Sequence, residues 1–367
     1  MYKRQVDITP ISWGGVVDRG NQRPNINTPT ESFVFDLRDD TSDVIEWRGT
    51  FALQSPNVNT PVRCGFLDEW GAWHPLYKGK ILRMFDIHDT SFREITIESF
   101  GNKADLATAV LDPDRPAEDA ETRIDSYLTE IGWNNGIDAS YPPADLGTFG
   151  LLADLDTAPG RAPIIGAYNE IQKAANSAGY KVGITRAGEF KLDPIVYVDD
   201  PTNYVIADCY DDAYPDISAV AVTMTFAADA SELLNTVIVG NEIDPTFSAE
   251  ALDATSISLW GRKTQGYGFP ILVANDNLAD AQALADTVVA QYSDIITRCE
   301  NVTFNTRSDP AWWDVLADLE LGQSITIRRL NPRPITFNAH IIGVVININE
   351  NGYLEGVINL ATTDTTE

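Results

Sequence analysis

Residues 341–360 read IIGVVININENGYLEGVINL. Ile342, Val344, Ile346 and Ile348 alternate along the first half, and Leu354, Gly356, Ile358 and Leu360 alternate along the second. A period of two marks a strand, and Asn351-Gly352 between them is the pair best suited to φ > 0 at both central residues of a tight turn. The stretch predicts a closing β-hairpin with a two-residue type I′ turn. Upstream, Leu321-Gly322-Gln323 leads into a strand at Ile325-Thr326-Ile327, Asp309-Pro310 opens a turn, and Val302 and Phe304 mark another strand. Leu278, Ala281, Leu284, Val288 and Tyr292 lie on one stripe at helical spacing, which predicts a helix over 278–292. Thr255 to Trp260 reads as a short strand stopped by Gly261-Arg262.

Residues 1–100 read as all-β. Phe33-Val34-Phe35, then Ile45, Trp47, Phe51 and Leu53, then Tyr77, Ile81, Phe85 and Ile87, then Ile95 and Ile97 mark the strands. Turn clusters at Asp39-Asp40, Ser55-Pro56-Asn57 and Gly65 to Gly71 separate them, and Arg19 to Thr30 reads as a polar loop. Helical patterns follow at 104–111, at 118–131 with Ile124, Leu128 and Ile131 on one face, and at 162–178 before Gly179. Tyr180 to Ile184 and Glu189 to Leu192 form a hairpin pattern around Ala187-Gly188. Val196-Tyr197-Val198 stops at Asp199-Asp200-Pro201. Val220, Val222, Met224 and Phe226 alternate as a strand, and Asn235 to Val239 form another.

The chain has 367 residues, 44% hydrophobic and 10% aromatic, which suits two to four folded domains and argues against disorder. Its net charge of −28 is uneven. Residues 1–100 hold 14 acids and 11 bases, residues 101–255 hold 27 and 8, and residues 256–367 hold 13 and 7. Nucleic-acid binding draws on Lys and Arg to displace counterions, so this balance excludes a conventional DNA or RNA binder. Cys64, Cys209 and Cys299 are odd in number and far apart, a pattern of free thiols made in a reducing compartment. Met1 to Asp7 has no apolar core behind its charges, so no secretory signal is expected, and no run reaches the ~18 apolar residues of a membrane span.

Residues able to carry chemistry are few. There is no phosphate-binding or dinucleotide glycine motif, no nucleophile elbow and no paired-histidine zinc motif. His74, His88 and His340 are isolated and read as structural. Asp36, Asp39, Asp40 and Asp43 form one acidic cluster and Asp208, Asp211, Asp212 and Asp216 another; neither fits a calcium loop, and both read as solvated turns. Trp312-Trp313 after Asp309-Pro310 reads as the start of a short helix packed with Val315, Leu316 and Leu319, the alternative being an exposed docking site. No catalytic, cofactor-binding or metal-binding residue is assigned.

Several segments in sequence order resemble the tail hub, or minor tail, proteins of long-tailed bacteriophages, a group related to baseplate hubs. They are Val6-Asp7-Ile8-Thr9, the strands through Trp47 and Ile95-Thr96-Ile97, and Thr122-Arg123-Ile124 to Ile131-Gly132-Trp133. With these go Ser256-Ile257-Ser258-Leu259-Trp260-Gly261-Arg262, the helix Leu278 to Gln291, Leu321-Gly322-Gln323-Ser324-Ile325-Thr326, and the Asn351-Gly352 hairpin. Family members often carry Tyr-Gly at Trp260-Gly261 and Gly-Asp at Gly322-Gln323.

The resemblance implies an α+β, mainly β, fold with two small tail-tube-like β-barrels joined by an α/β insertion. The expected units are 1–100, an N-terminal barrel; 101–195, α/β; 196–270, a β-rich connection; and 271–367, a C-terminal barrel with one helix. It also implies a homotrimeric structural ring at the virion tail tip, assembled in the host cytoplasm, without cofactor or catalysis. Such a ring adapts a sixfold tube to a threefold tip and forms part of a channel. Its partners are the distal tail ring protein, the tape measure protein and tip or fibre proteins, with genomic DNA passing through without specific binding. A receptor- or carbohydrate-binding tail protein and a cell-wall hydrolase are the rival expectations.

Overall fold

The computed structural model describes residues 12–20, 30–39, 61–68, 70–88, 93–111, 115–144, 146, 152, 165–195, 204–227, 233–241, 248–269, 278–294, 298–349 and 352–366. Near the N-terminus the chain forms β1 (Ser12–Gly20), β2 (Thr30–Asp39), β3 (Pro61–Leu67), β4 (Trp73–His88) and β5 (Arg93–Gly101). Next come α1 (Lys103–Thr108), β6 (Val110–Leu111), α2 (Ala120–Glu130), β7 (Ile165–Gly166), α3 (Ala167–Ser177), β8 (Tyr180–Ile184) and β9 (Phe190–Pro194). The third stretch holds β10 (Val205–Ala207), β11 (Ala219–Val220), β12 (Thr223–Ala227), β13 (Thr236–Asn241), β14 (Ser248–Leu252), α4 (Ala254–Trp260), β15 (Thr264–Phe269) and α5 (Leu278–Tyr292). The last holds β16 (Arg298–Asn305), α6 (Trp312–Asp318), β17 (Ser324–Arg329), β18 (Ile335–Ile348) and β19 (Leu354–Thr366).

Both ends of the chain join one twelve-stranded sheet, ordered β11-β10-β17-β18-β1-β2-β5-β4-β3, with β19, β16 and β12 branching from β18. The long strand β18 is the junction. One of its edges pairs β19 from Thr336 to Ile348. Its other edge pairs β17 over Ile335 to His340 and then β1 over Gly343 to Ile348. A register irregularity between Ile341 and Gly343 falls where the partner changes. His340 to Val344 are all buried, because both faces of the strand are covered there. The fold is thus mainly β with six helices among the described residues, and the pairing of those residues closes no ring.

Among the described residues the three larger apolar cores follow from this order. The largest is shared by the two ends: Val17, Phe33, Tyr77 and Ile97 pack with Phe304, Trp312, Ile327, Phe337 and Val344. A second lies in the α/β segment. There Asp119 caps α2 by accepting from the Thr122 N–H and hydroxyl, each at 2.8 Å, and Ile124, Tyr127 and Leu128 face Ile171, Ala174 and Phe190. The third places Ala281, Ala285, Val288 and Val289 of α5 on Val237, Val239, Ala249 and Ala251.

Four local readings of the sequence are corrected. Residues 255–260 are not a strand: Asp253 accepts the Ser256 N–H at 2.9 Å, α4 runs two turns, and Gly261 stops it at φ +76. A cap eight residues before a left-handed glycine outweighs the Ser-Ile-Ser-Leu alternation. Arg19, Gly20 and Thr30 belong to strands, so the polar loop is shorter than expected, and Gly65 to Leu67 extend β3 rather than open the turn. The Val220 to Phe226 pattern is split into β11 and β12 at Ala221 and Val222. The segments at Val6 to Thr9, Ile45 to Leu53, Ser55 to Asn57 and Val196 to Pro201 lie outside the described residues.

The closing hairpin is present, with Ile348 opposite Leu354, but its connection is longer than two residues. The Asn349 N–H donates to the Tyr353 carbonyl at 3.1 Å, and the Gly352 N–H donates to the Asn349 carbonyl at 2.9 Å. Gly352 sits at φ +78, and an added Cβ there meets no atom within 4 Å. A side chain at this position therefore strains the backbone without a clash. Gly352→Val is expected to destabilise the fold by ~1–3 kcal/mol, read as a lower urea midpoint. An unchanged midpoint would show that the left-handed glycine is dispensable.

Candidate functional site: an ionic junction and an aromatic hairpin

The residues singled out by sequence have structural tasks. His74 places Nε2 3.0 Å from Asp68 Oδ2 and stacks on Phe66 at 5.2 Å. His340 is buried with Nδ1 3.3 Å from the Gly322 carbonyl oxygen. Asp208 accepts the N–H groups of Leu330 and Asn331 at 2.8 and 3.2 Å, and Asp216 holds both terminal nitrogens of Arg328 at 2.7 and 3.0 Å. Asp211 accepts the Ala213 N–H at 2.9 Å. Asp40 and Asp43, and the side chains of Asp36, Asp39 and His88, lie outside the described residues. Among the described residues no three His, Cys, Asp or Glu side chains gather as metal ligands. Cys64 and Cys299 are buried, and burial pushes both thiols up to about 12. Trp312 is fully buried at the start of α6, donating Nε1–H to the Val220 carbonyl at 2.7 Å, and Trp313 meets Phe66 edge-on at 4.9 Å.

What the sequence did not reveal is a buried ionic junction where three segments meet. Arg19 of β1 donates to Glu320 Oε1 at 2.8 Å and to the Ile184 carbonyl of β8 at 2.9 Å. Glu320, in the turn between α6 and β17, also accepts the Arg186 N–H at 2.8 Å and the Leu321 N–H at 2.9 Å. Lys191 of β9 donates to the Leu321 carbonyl and lies 2.8 Å from Asp193. Arg186 reaches the Leu316 carbonyl at 2.9 Å. Burial alone would raise the Glu320 pKa, but the charges of Arg19 and Lys191 and the Arg186 N–H outweigh it and hold the carboxyl at about 2. The β8–β9 hairpin is thereby fastened to β1 and to the α6–β17 turn. A smaller contact fastens the same α/β segment to β4: Lys80 holds Asp105 at 2.7 and 2.8 Å, and Asn135 donates to Asp105 at 3.0 Å.

Beyond this junction the β3–β4 hairpin projects apolar side chains into solvent. Opposed residues of an antiparallel pair share a face. Phe66 and His74 are opposed and face α6, whereas Leu67 and Trp73 are opposed on the outer face. Leu67 is 64% exposed, Trp73 44%, and Trp70 at the turn 86%. The Asp68 carboxylate shapes that turn by accepting the N–H groups of Trp70 and Ala72 at 2.9 and 2.8 Å. A second exposed apolar patch lies on β14 and α4, at Leu252, Leu259 and Trp260. Single exposed apolar residues are ordinary, but two tryptophans and a leucine at one hairpin end are the composition of an interface.

No protein-family model matches the chain, and no curated protein matches it in sequence. Among solved structures it is similar to the tail protein from Neisseria meningitidis MC58, at TM-score 0.58 and 13% identity, over 96% of this chain and 92% of that one. It is also similar to the 43 kDa tail protein of prophage MuSo2 from Shewanella oneidensis, at TM-score 0.60 and 10% identity, over 95% and 93%. The chain therefore shares the overall fold of these tail proteins.

Proposed function

We propose that the chain is a structural component of a bacteriophage tail. The observation that carries this reading is that the likeness to tail proteins runs over more than nine-tenths of both partners, so the whole architecture is shared rather than one module. The finer reading is a tail-tip hub: a homotrimer whose β-rich ends act as two tail-tube-like barrel domains. Three copies then present six such units to the sixfold tube above and a threefold face below. Contacts run to the distal tail ring, the tape measure protein and tip or fibre proteins. DNA passes through without binding, which suits a chain of net charge −28. No catalytic role is assigned to it.

Within that reading, the segments with their own cores, 102–195 and 233–292, are insertions carried on the common sheet. Reconstruction of intact particles tests the proposal. Three copies on the tail axis at the tip are expected. Copies along the tube, in the capsid, or absent from particles would overturn it.

A further inference from the structure

His74 stands where the β3–β4 hairpin meets α6, and each of its ring nitrogens faces an acceptor. Nε2 is 3.0 Å from Asp68 Oδ2, and Nδ1 is 3.3 Å from the Ala317 carbonyl oxygen. A neutral imidazole carries one N–H, so it satisfies one of these oxygens and turns a lone pair on the other. Only the imidazolium donates to both. Neither acceptor can reverse its role. Ala317 lies in the last turn of α6, where a carbonyl has no helical N–H partner. The Asp68 carboxyl is held below its usual range by the bond to His74 and by the N–H groups of Ala72 and Trp70, so it stays an anion near neutrality.

The elements around the ring supply the other charges. On β3 the neighbour is Phe66, an uncharged ring stacked on His74 at 5.2 Å. On α6, Asp314 and Asp318 are exposed, and the Tyr204 hydroxyl donates to Asp318 at 2.7 Å. From the β8–β9 turn, Arg186 donates to the Leu316 carbonyl, one residue before Ala317, and the charges of Glu320 and Asp318 lie beside it. Glu69 lies outside the described residues. We infer that His74 is a pH-sensitive clamp: doubly protonated, it pins to α6 the hairpin end that carries Leu67, Trp70 and Trp73, and loss of one proton releases that end. The clamp is closed on the acid side and opens as pH rises, because the charged ring is the form that makes both bonds. The edge-on contact of Phe66 with Trp313 at 4.9 Å does not depend on the proton and stays as a pivot. The exposed aromatic end is thus held in one orientation by acid and freed by base.

Two measurements at ~pH 5.5 and ~pH 8.5, which bracket the ordinary imidazole range, test this. One is the ring carbon–proton spectrum of the chain labelled at its three histidines, in which His74→Phe identifies the His74 signal. The other is hydrogen exchange of residues 64–77 by mass spectrometry, normalised to the intrinsic rate at each pH. The Glu320 carboxyl, held at about 2, is ionised throughout and adds no change of its own. The His74 ring is expected to carry two protons at the lower pH and one at the higher. Protection of 64–77 is expected to fall roughly tenfold or more, the worth of one hydrogen bond to a charged group. His74→Phe keeps a ring against Phe66 and has no proton to lose, so its protection should be equal at both pH values. Asp68→Asn keeps an oxygen for the turn N–H groups and takes the anion from Nε2, so its His74 ring should give up the second proton at lower pH than in the unaltered chain.

A fall in protection that His74→Phe abolishes supports the clamp. Equal protection at the two pH values in the unaltered chain, a fall of the same size in His74→Phe, or a ring with a single proton already at the lower pH overturns it. Where His74→Phe does not fold, Asp68→Asn decides alone, and an unmoved ring titration overturns the clamp. The inference does not rest on the tail reading, and none of these results bears on it.

Discussion

Replacing Glu320 by Gln is expected to destabilise the protein by up to ~3 kcal/mol, because it takes the partner from the buried Arg19 guanidinium while Glu320 itself keeps part of its exposure. The substitution leaves the Arg19 guanidinium and the Arg186 backbone N–H against a neutral amide, while the Asp193 carboxylate serves Lys191. Against a typical total of ~5–15 kcal/mol, a loss of that size lowers the urea midpoint sharply. The same group sets a pH dependence. Its carboxyl titrates near 4.5 in the unfolded chain and at about 2 in the folded one. The folded value is the lower, so its contribution is fully present above pH 4.5, declines as pH falls, and is gone below pH 2. The shift corresponds to at most ~3 kcal/mol, reduced by solvent because the side chain keeps 23% of its exposure. Comparing urea midpoints at pH 3 and pH 7 checks this: Glu320→Gln should show a smaller pH difference than the unaltered chain. Equal differences would mean that the junction carries no such linkage.

Trp312→Ala is expected to cost a further ~3–5 kcal/mol in its own right, as the truncation of a fully buried aromatic side chain. The indole packs against Phe304 at 5.2 Å and satisfies the Val220 carbonyl, so α6 and β11 lose a common anchor. Trp312→Phe separates the two contributions. It keeps most of the ring volume and loses the N–H, leaving the carbonyl without its donor for ~1–3 kcal/mol. Thermal unfolding of the pair decides the matter. If Ala and Phe are equally damaging, the hydrogen bond dominates; if neither matters, the central packing of α6 is misassigned.

Legibility in the sequence followed the range of the interactions. The strands of the closing hairpin, α5 and the β8–β9 hairpin are local patterns, and each lies where its period places it, although the closing turn is longer than Asn351-Gly352 alone predicts. The helix at Trp312 was also legible, because Asp309-Pro310 and the Val315, Leu316 and Leu319 spacing are local. Residues 254–260 misled because Ser, Ile, Ser and Leu alternate, whereas the deciding information was the Asp253 cap and Gly261. Arg19 read as loop because its partner, Glu320, lies about 300 residues away, and no local rule connects them. The exposed face of Leu67 and Trp73 depends on β3–β4 register. A one-residue difference in assigned turn would exchange the inner and outer faces, so the sequence could not reveal it.

The pairing of β1 with β18 also governs how the chain is made. Gly15 meets Ile348 across roughly 330 intervening residues. At ~5–20 residues per second, a ribosome delivers that partner roughly 15–70 s after β1 emerges. Throughout that interval the edge of β1 that will receive β18 has no native neighbour, while the α/β segment with its self-contained core is already complete enough to collapse. An unpaired strand edge is a template for foreign strands. Nascent chains of neighbouring ribosomes, each with the same open edge, are the nearest supply of such strands. A fold closed by a pairing of this sequence separation is expected to form slowly, so its open edge is exposed longest in the growing chain.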